Sequence, residues 1–305
     1  MVKVWCFYHR VDLDGHCAGA VVRKWCWENG HEFVPRGVNY GEEVKWSEGA
    51  GPGAMAVIVD FTPEGHGAAE TLLEMQGAYG GGVVWIDHHK TAIDKVGQSD
   101  IDGIRENGTA GCELAWGHFF PQMPMPGAVR LLGRYDVFDR SNGDEWETMI
   151  LPFQYGMRMH TTRPDSTDEE DLWKQLFSEN DGEHLGRILH DGGLLLRFEQ
   201  QNNARAALFA AYDCTFEGLP CCAMNGSGNS LVLDAYARPE HKMRILWRYA
   251  LEKWRVSLYE NGHDDVDCGA IAQMHGGGGH RGAAGFSFPG EISPLVYFPA
   301  KNDEG

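Results

Sequence analysis

Three short apolar runs near the start of the chain each end in carboxylate or imidazole residues. The runs read VKVWCFY, AMAVIV and GVVWI, and glycine-rich turns and helical stretches such as AGAVVRKWCW and AAETLLEM separate them. Strands that alternate with helices are typical of a doubly wound, mostly parallel sheet. We therefore predict an α/β fold whose ligands bind at the carboxyl ends of these strands.

The polar residues at the ends of the three runs form the candidate site. They are His9, Asp12 and Asp14 after the first run, Asp60 after the second, and Asp87, His88 and His89 after the third. Each motif alone has an ordinary structural explanation, such as a turn or a helix cap. Crowded together, however, these groups would repel one another or stay protonated unless divalent cations neutralised them.

The ligand types indicate which ions such a site would bind. Carboxylate oxygen and imidazole nitrogen without thiolate suit Mn²⁺, Mg²⁺, Fe²⁺ or Co²⁺ better than structural zinc. More than five ligands are too many for one open catalytic ion, so we predict a two-metal site with a bridging aspartate. The usual chemistry of such sites is displacement at phosphorus by a metal-bound hydroxide.

Two motifs in this order resemble the DHH phosphoesterase superfamily and its associated C-terminal domain. The first is the DHH triplet at 87–89 with its upstream aspartates, and the second is GGGGHRGAAGF at 276–286. The resemblance spans nearly the whole chain. It implies an α/β protein of two lobes, with the active site in the cleft between them and a catalytic pair of ions, usually manganese.

The resemblance also implies a role for each site residue. The metal ligands would be His9, Asp12, Asp14, Asp60 and His88, together with Asp136 from a fourth motif, GRYDVFD, in which Asp139 is the second candidate. Asp60 would bridge both ions. His89 would contact the phosphate or protonate the leaving oxygen, and Asp87 would orient a neighbouring histidine.

The spacing of the first motif favours one branch of the superfamily. Its carboxylates lie three and five residues after His9, which is closer to the oligoribonuclease branch than to the pyrophosphatases. The same spacing leaves open whether His9 binds a metal directly or supports a residue that does.

The glycine-rich motif predicts a substrate contact. Four consecutive glycines fill no core and lose much conformational entropy on ordering, so they suit close backbone approach to a ligand. Backbone N–H groups of Gly277, Gly278 and Gly279 would form an anion site, Arg281 would bind phosphate, and His280 would hydrogen-bond or stack against a nucleotide. The alternative is a flexible linker.

We expect three segments along the chain. Residues 1–150 would form the catalytic metal-binding domain, 151–210 a helical connection interrupted at Gly192 and Gly193, and 211–305 a smaller α/β substrate-binding domain. Further predicted helices cover 111–120, 127–132 and 239–248, and another is opened by Ser166 or Thr167. Trp25 and Trp27 are expected in the core.

Composition limits the partners. The formal charge of −18 repels long nucleic acids, so the expected partner is a small nucleotide or short oligonucleotide. We find no apolar run of about 18 residues or more and no basic leader, which favours a cytoplasmic protein without membrane contact. The eight cysteines contain no CxxC pair and are expected to be reduced. A homodimer is possible.

These observations together predict a metal-dependent phosphodiesterase that converts short oligoribonucleotides or linear dinucleotides to nucleoside 5′-monophosphates. Arg134, Arg158 and Arg163 are further candidates for phosphate contact. Two other enzyme functions stay open, a cyclic dinucleotide phosphodiesterase and a 3′-phosphoadenosine 5′-phosphate phosphatase. A nucleotide-binding sensor without turnover is the alternative from outside the enzymes.

Overall fold

A computed structural model describes residues 1–63, 67–96, 99–165, 171–178, 180–229 and 231–300, apart from the side chains of residues 91 and 95. Within it the chain divides into two compact units, Met1–Leu196 and Arg197–Gly305. Each unit contains one sheet with helices, and the predicted α/β fold with a mostly parallel first sheet is confirmed.

The first unit is built on a parallel four-stranded sheet in the order β2-β1-β3-β4. Its strands are β1 (Lys3–His9), β2 (Glu32–Val38), β3 (Ala54–Val59) and β4 (Val83–Ile86). All four residues of β4 are buried, as are six of the seven residues of β1. Continuous apolar runs of this kind are typical of parallel strands that are covered on both faces.

The helices of this unit follow the strands or pack beside them. They are α1 (Leu13–Glu28), α2 (Ala68–Ala78), α3 (Lys90–Val96), α4 (Gly111–Phe119), α5 (Gly127–Asp136), α6 (Leu151–Met157), α7 (Leu172–Leu176) and α8 (Gly182–Ala210). Helix α8 begins in this unit and continues past Leu196 into the second. A π-helical turn, Trp146–Ile150, leads directly into α6. Among the described residues, no helix is both long and apolar enough to cross a bilayer.

Helix α8 is continuous, so the predicted interruption at Gly192 and Gly193 is wrong. A Cβ atom at Gly192 would lie 1.8 Å from the carbonyl oxygen of Pro152, and one at Gly156 would lie 2.2 Å from that of Ile188. Glycine therefore serves close packing of α6 against α8 here, and the helix tolerates it because the packing compensates for its poor helix propensity.

The second unit is built on a six-stranded mixed sheet in the order β5-β6-β7-β8-β10-β9. Its strands are β5 (Ala211–Phe216), β6 (Leu219–Asn225), β7 (Met243–Ala250), β8 (Lys253–Glu260), β9 (Gly278–Gly279) and β10 (Ala283–Pro289), and its helix α9 covers Cys268–Met274. Strands β6 and β7 run parallel, whereas the other described neighbouring strands are antiparallel.

Strand β7 corrects another prediction, because residues 239–248 were expected to form a helix. The segment MRILWRYA contains good helix formers, yet it pairs with β8 along its length and with β6 from Met243 to Trp247. Ile245 and Trp247 join Leu258 and Phe286 in the core of the unit. Pairing with two strands and burial of alternate side chains outweigh the intrinsic preference of the segment.

Three smaller expectations have different outcomes. Trp27 is 53% exposed, so its expected place in the core is wrong; the Arg23 guanidinium covers its ring at 4.6 Å. Trp25 is half-buried and packs against Phe119, with 5.0 Å between the ring centroids. The helix start predicted at Ser166 or Thr167 lies outside the described residues. All eight cysteines are buried thiols.

Candidate metal centre

The carboxyl ends of three adjacent strands hold the candidate site of the first unit. His9 is the last residue of β1, Asp60 follows β3 directly, and Asp87 follows β4. Because these strands are parallel neighbours, their ends lie at one edge of the sheet. Asp60 has a positive φ of 54°, a conformation that aspartate tolerates better than most residues.

The predicted ligands gather into two clusters at this edge. One consists of His9, Asp12 and Asp60 and the other of Asp14, His88 and Asp136, and within each cluster the potential ligand atoms lie within 4.8 Å of one another. A third group that meets the same distance, Asp60, His88 and His89, connects the two clusters. Asp60 borders both. Its Oδ2 lies 3.7 Å from His9 Nδ1, while its Oδ1 lies 3.2 Å from His88 Nε2. The two oxygens of one carboxylate thus face different clusters.

The site is buried and leaves polar atoms unsatisfied. Asp60 is 1% exposed and His88 2% exposed. Within the described residues, His9 Nε2, Asp60 Oδ1 and Asp136 Oδ2 are buried without a hydrogen-bond partner. Such atoms are costly in a folded protein unless an ion or water satisfies them. The oxygen and nitrogen atoms of the clusters therefore fit divalent cations of the Mn²⁺ or Mg²⁺ type.

Electrostatics in the clusters indicate the same need for positive charge. Burial and the neighbouring carboxylate of Asp14 raise the pKa of Asp60 well above its usual range, and the same two causes raise the pKa of Asp136. For His9, burial lowers the pKa, but hydrogen bonds to Asp12 and Asp60 outweigh it and raise the pKa to about 10. In the absence of cations the clusters therefore retain protons, which bound cations would displace.

The amino end of α4 orients Asp14, a contact that the sequence analysis missed. The backbone N–H groups of Gly111 and Cys112 each donate to the Asp14 carboxylate at 2.8 Å. A Cβ atom at Gly111 would lie 2.7 Å from Asp60 Cβ, so only glycine allows this close approach. Asp12 is fixed from within its own helix, because it caps α1 and accepts from Gly15 N at 2.9 Å.

Asp87 positions the side chain of His89. This fully buried carboxylate accepts from His89 Nδ1 at 2.7 Å and from His88 N at 2.8 Å, and the Thr62 hydroxyl donates to its other oxygen. Burial would raise the pKa of Asp87, but the hydrogen bond from His89 and its charge outweigh burial and lower it. Because the carboxylate can only accept, Nδ1 carries the hydrogen and Nε2 is directed elsewhere.

An aromatic wall of Tyr40 and Phe61 flanks the centre. The two rings stack with centroids 4.4 Å apart, and Tyr40 meets the ring of His9 edge-on at 5.6 Å. The centroid of the Tyr40 ring also lies 6.2 Å from that of the His89 ring. Phe61 could have been found from its place directly after Asp60, but nothing in the sequence marks Tyr40.

The remaining candidates of the first unit have other partners. Asp139 forms an ion pair with Arg134 and accepts from Ser141 N at 2.9 Å, and it is not among the clustered residues. Arg163 pairs with Asp165 at 2.7 Å. Arg158 Nη2 lies 3.4 Å from the hydroxyl of Tyr135. The geometry therefore favours Asp136 over Asp139 in the fourth motif.

The glycine-rich motif lies in the second unit, between α9 and β10. Gly278 and Gly279 form the short strand β9, which pairs with β10. A Cβ atom at Gly277 would lie 2.1 Å from the carbonyl oxygen of Gly285, and Gly279 has a φ of 141°. Two of the glycines are thus required by backbone packing, and the segment is part of a sheet rather than a linker.

The polar residues of the motif lie in the turn between β9 and β10. His280 N donates to the carbonyl oxygen of Ala283 at 2.8 Å. The exposed Arg281 side chain donates to the backbone carbonyl of Asp264. A Cβ atom at Gly278 would meet no atom within 4 Å, so a ligand has room to approach the backbone there.

Comparison with known proteins identifies the fold. No protein-family model matches the chain, and no curated protein is similar to it in sequence. An exopolyphosphatase-related protein from Bacteroides fragilis is similar in structure, with 12% identity, a TM-score of 0.50, and coverage of 97% of this chain and 89% of that one. At this identity the likeness shows a shared α/β fold.

Two further solved structures are similar at lower TM-scores. The pGpG-specific phosphodiesterase PggH from Vibrio cholerae has 13% identity and a TM-score of 0.48, covering 97% of this chain and 95% of that one. RecJ from Thermus thermophilus, in complex with Mn²⁺, has 14% identity and a TM-score of 0.48; the match covers 97% of this chain but only 50% of RecJ.

Proposed function

We propose that this protein is a metal-dependent phosphodiesterase of the DHH superfamily. Its substrates would be short oligoribonucleotides or linear dinucleotides, and its products nucleoside 5′-monophosphates. The observation that carries the proposal is the Asp60 carboxylate, whose two oxygens face two adjoining clusters of carboxylates and histidines. The order of the DHH and glycine-rich motifs supports it.

The clusters would hold two divalent cations, for which we propose Mn²⁺. His9, Asp12 and Asp60 would surround one ion, and Asp14, His88 and Asp136 the other, with Asp60 shared. When bound, such ions activate a water molecule and neutralise the charge of a phosphodiester.

The protein groups around the clusters would orient the reacting atoms. Asp87 holds the His89 ring through Nδ1, and we propose that the ring donates a proton to the leaving 3′-oxygen through Nε2. The N–H groups of Gly111 and Cys112 fix the Asp14 carboxylate before substrate binds. Preorganised groups of this kind lower the reorganisation required in the transition state.

We also propose that the glycine-rich motif contacts the substrate. Backbone N–H groups of Gly277, Gly278 and Gly279 would bind an anionic group, assisted by His280 and Arg281. The open space beside Gly278 and the exposure of Arg281 support this assignment. The net charge of −18 supports a short substrate rather than long nucleic acid.

The deciding experiment is release of mononucleotide or inorganic phosphate from a substrate panel, measured with Mn²⁺, with chelator, and with Mn²⁺ restored after chelation. The panel contains linear diribonucleotides, cyclic dinucleotides, 3′-phosphoadenosine 5′-phosphate, pyrophosphate and polyphosphate. We expect Mn²⁺-dependent release that is fastest from the linear diribonucleotides. Faster cleavage of another member would reassign the substrate, and binding without cleavage of any member would indicate a nucleotide sensor.

A further inference from the structure

A basic pocket of about 660 Å³ lies within the second unit, over one face of its sheet. Three cations and three hydroxyls are among its lining residues: Arg248, Lys253, Arg255, Ser227, Ser257 and Ser287. None of the described lining residues is acidic, although acidic residues outnumber basic ones by 44 to 26 in the chain. The volume is in the range of pockets that bind small molecules.

The strand register places two of these cations directly opposite each other. Arg248 of β7 pairs with Arg255 of β8, and Arg255 in turn is paired with Ser287 of β10. Like charges at directly opposed positions destabilise a sheet. The arrangement therefore lacks a compensating negative charge that a bound anion would supply.

The two arginines and Ser287 belong to one face of the sheet. Successive residues of a strand point to opposite faces, so these three side chains lie opposite to their neighbours Trp247, Val256 and Phe286. Those neighbours form part of the apolar core. At these positions the other face is thus left to the polar pocket.

No acidic side chain in the described part of the unit neutralises the cations. In the residues that the structure describes, the side chains of Arg248, Lys253 and Arg255 form neither an ion pair nor a hydrogen bond. Arg238, another exposed arginine of the second unit, behaves differently, because it is paired with Asp213 and Glu240. Three exposed cations without partners among the described residues, gathered in one pocket of an acidic protein, indicate an anionic ligand.

We propose that this pocket binds the phosphate groups of a nucleotide. Arginine guanidinium groups match phosphate oxygens with paired hydrogen bonds, and serine hydroxyls can donate to the remaining oxygens. Glycines at 226, 228 and 285 contribute only backbone to the lining, as do Gly276 and Gly277 of the glycine-rich motif. The proposal does not depend on hydrolysis, because a substrate and an effector nucleotide would bind through the same chemistry.

The test is calorimetric titration of the full chain, treated with chelator, with the 5′-phosphorylated diribonucleotide pApA. Compared with the wild type, we expect the double variant Arg248→Gln/Arg255→Gln to bind pApA at least about tenfold more weakly, because each charge-assisted hydrogen bond is strong. Arg205→Gln removes an exposed arginine outside the pocket and should bind pApA like the wild type. Equal affinity of the double variant and the wild type would overturn the proposal.

A second measurement tests the opposed arginines by thermal unfolding, with and without pApA. Arg255→Gln should raise the Tm of the nucleotide-free protein and lose part of the Tm increase that pApA causes, whereas Arg205→Gln should do neither. A lower Tm of Arg255→Gln without nucleotide would show that the pair is not in conflict and would argue against an anion between the arginines.

Kinetics separate a substrate from an effector. A higher KM for pApA in the double variant would identify the pocket ligand as the substrate, and an unchanged KM with weakened binding would identify an effector. Hydrolysis of bis(4-nitrophenyl) phosphate by the wild type tests the proposed reaction separately. Absence of that hydrolysis with arginine-dependent pApA binding would reject the reaction and keep the pocket.

Discussion

The two units concentrate charges of opposite sign, and they do so in opposite ways. In the first unit, carboxylates and histidines lie at the carboxyl edge of a parallel sheet, where Asp60 is 1% exposed. In the second, Arg248, Lys253 and Arg255 lie exposed over one face of a mixed sheet. Asp14 and Asp12 are fixed by hydrogen bonds from the backbone, whereas the basic groups are long side chains without partners in the described residues.

This difference indicates two kinds of ligand. A buried cluster of carboxylates is unfavourable without cations and can be organised in advance to a fixed geometry. An exposed group of arginines costs little when solvated and adapts to ligands of different shape. We therefore expect substitutions in the acidic clusters to change the chemistry, and substitutions in the basic pocket to change affinity.

The largest effect is expected from Asp60→Asn. The substitution keeps the size of the side chain but removes the charge that both clusters share, so hydrolysis should fall by about a thousandfold or more. The rate of pApA cleavage with saturating Mn²⁺ measures this, and the Tm with chelator confirms that the variant folds.

Asp139→Asn is the matched control, because Asp139 lies outside the clusters and pairs with Arg134. It should retain most of the activity. Loss of activity equal to that of Asp136→Asn would mean that the wrong aspartate of the fourth motif has been assigned.

A smaller effect is expected from Asp87→Asn, since Asp87 acts through His89. Loss of the carboxylate that accepts from His89 Nδ1 should lower kcat by about 10- to 100-fold. The affinity for Mn²⁺ should change much less. Mn²⁺ titrations of the variant decide the point: if its metal affinity falls as far as that of Asp60→Asn, Asp87 is a ligand and not a positioning residue.

The comparison of the units also shows what the sequence could predict. The positions where β1, β3 and β4 end could be predicted, because continuous apolar runs are typical of buried parallel strands. The carboxyl ends of parallel strands lie at one edge of the sheet, so the site could be placed there. The support of Asp14 by Gly111 and Cys112 was not, since it joins residues almost 100 positions apart. No local pattern marks such a contact.

In the second unit, the strand register determines which side chains are neighbours, and the sequence alone does not give that register. Residues 239–248 were predicted as a helix, and in a helix Arg248 would have no defined relation to Arg255. Only the antiparallel pairing of β7 with β8 makes them opposed neighbours. The sequence therefore did not reveal the basic pocket, although the glycine-rich motif that supplies part of its lining was recognised.

A third prediction concerns the close approach of α4 to the clusters. Gly111→Ala would place a Cβ atom 2.7 Å from Asp60 Cβ and 3.0 Å from Asp14 Oδ2, so one of these carboxylates must shift. We expect the affinity for Mn²⁺ to fall about tenfold, as measured by titration of activity.

Gly117→Ala is the control within the same helix, because its Cβ atom would meet nothing within 4 Å. It should leave Mn²⁺ affinity unchanged and raise stability by up to about 1 kcal/mol. Equal affinity of the two variants for Mn²⁺ would show that the centre tolerates displacement, as an adaptable site would.

The smallest expected effect is a change of stability with pH that differs between the metal-free and the metal-bound protein. The pKa of His9 is raised from 6.5 to about 10 in the folded protein, so its contribution to stability is fully present below pH 6.5 and is lost as the pH rises towards 10. The raised pKa values of Asp60 and Asp136 act in the same direction. With chelator, the Tm should therefore fall between about pH 6.5 and 8.5.

Mn²⁺ should oppose this fall in Tm, because Mn²⁺ binding displaces the protons that the clusters retain. Mn²⁺ therefore binds more tightly as the pH rises. The increase in Tm caused by Mn²⁺ should thus grow over the same pH range, and His9→Gln should flatten the metal-free slope. An increase in Tm that stays constant over this range would mean that the clusters bind Mn²⁺ without releasing protons.

Arginines keep their charge throughout this range, so pApA binding to the basic pocket should change little. A pH dependence confined to the metal centre would separate the two units by their chemistry.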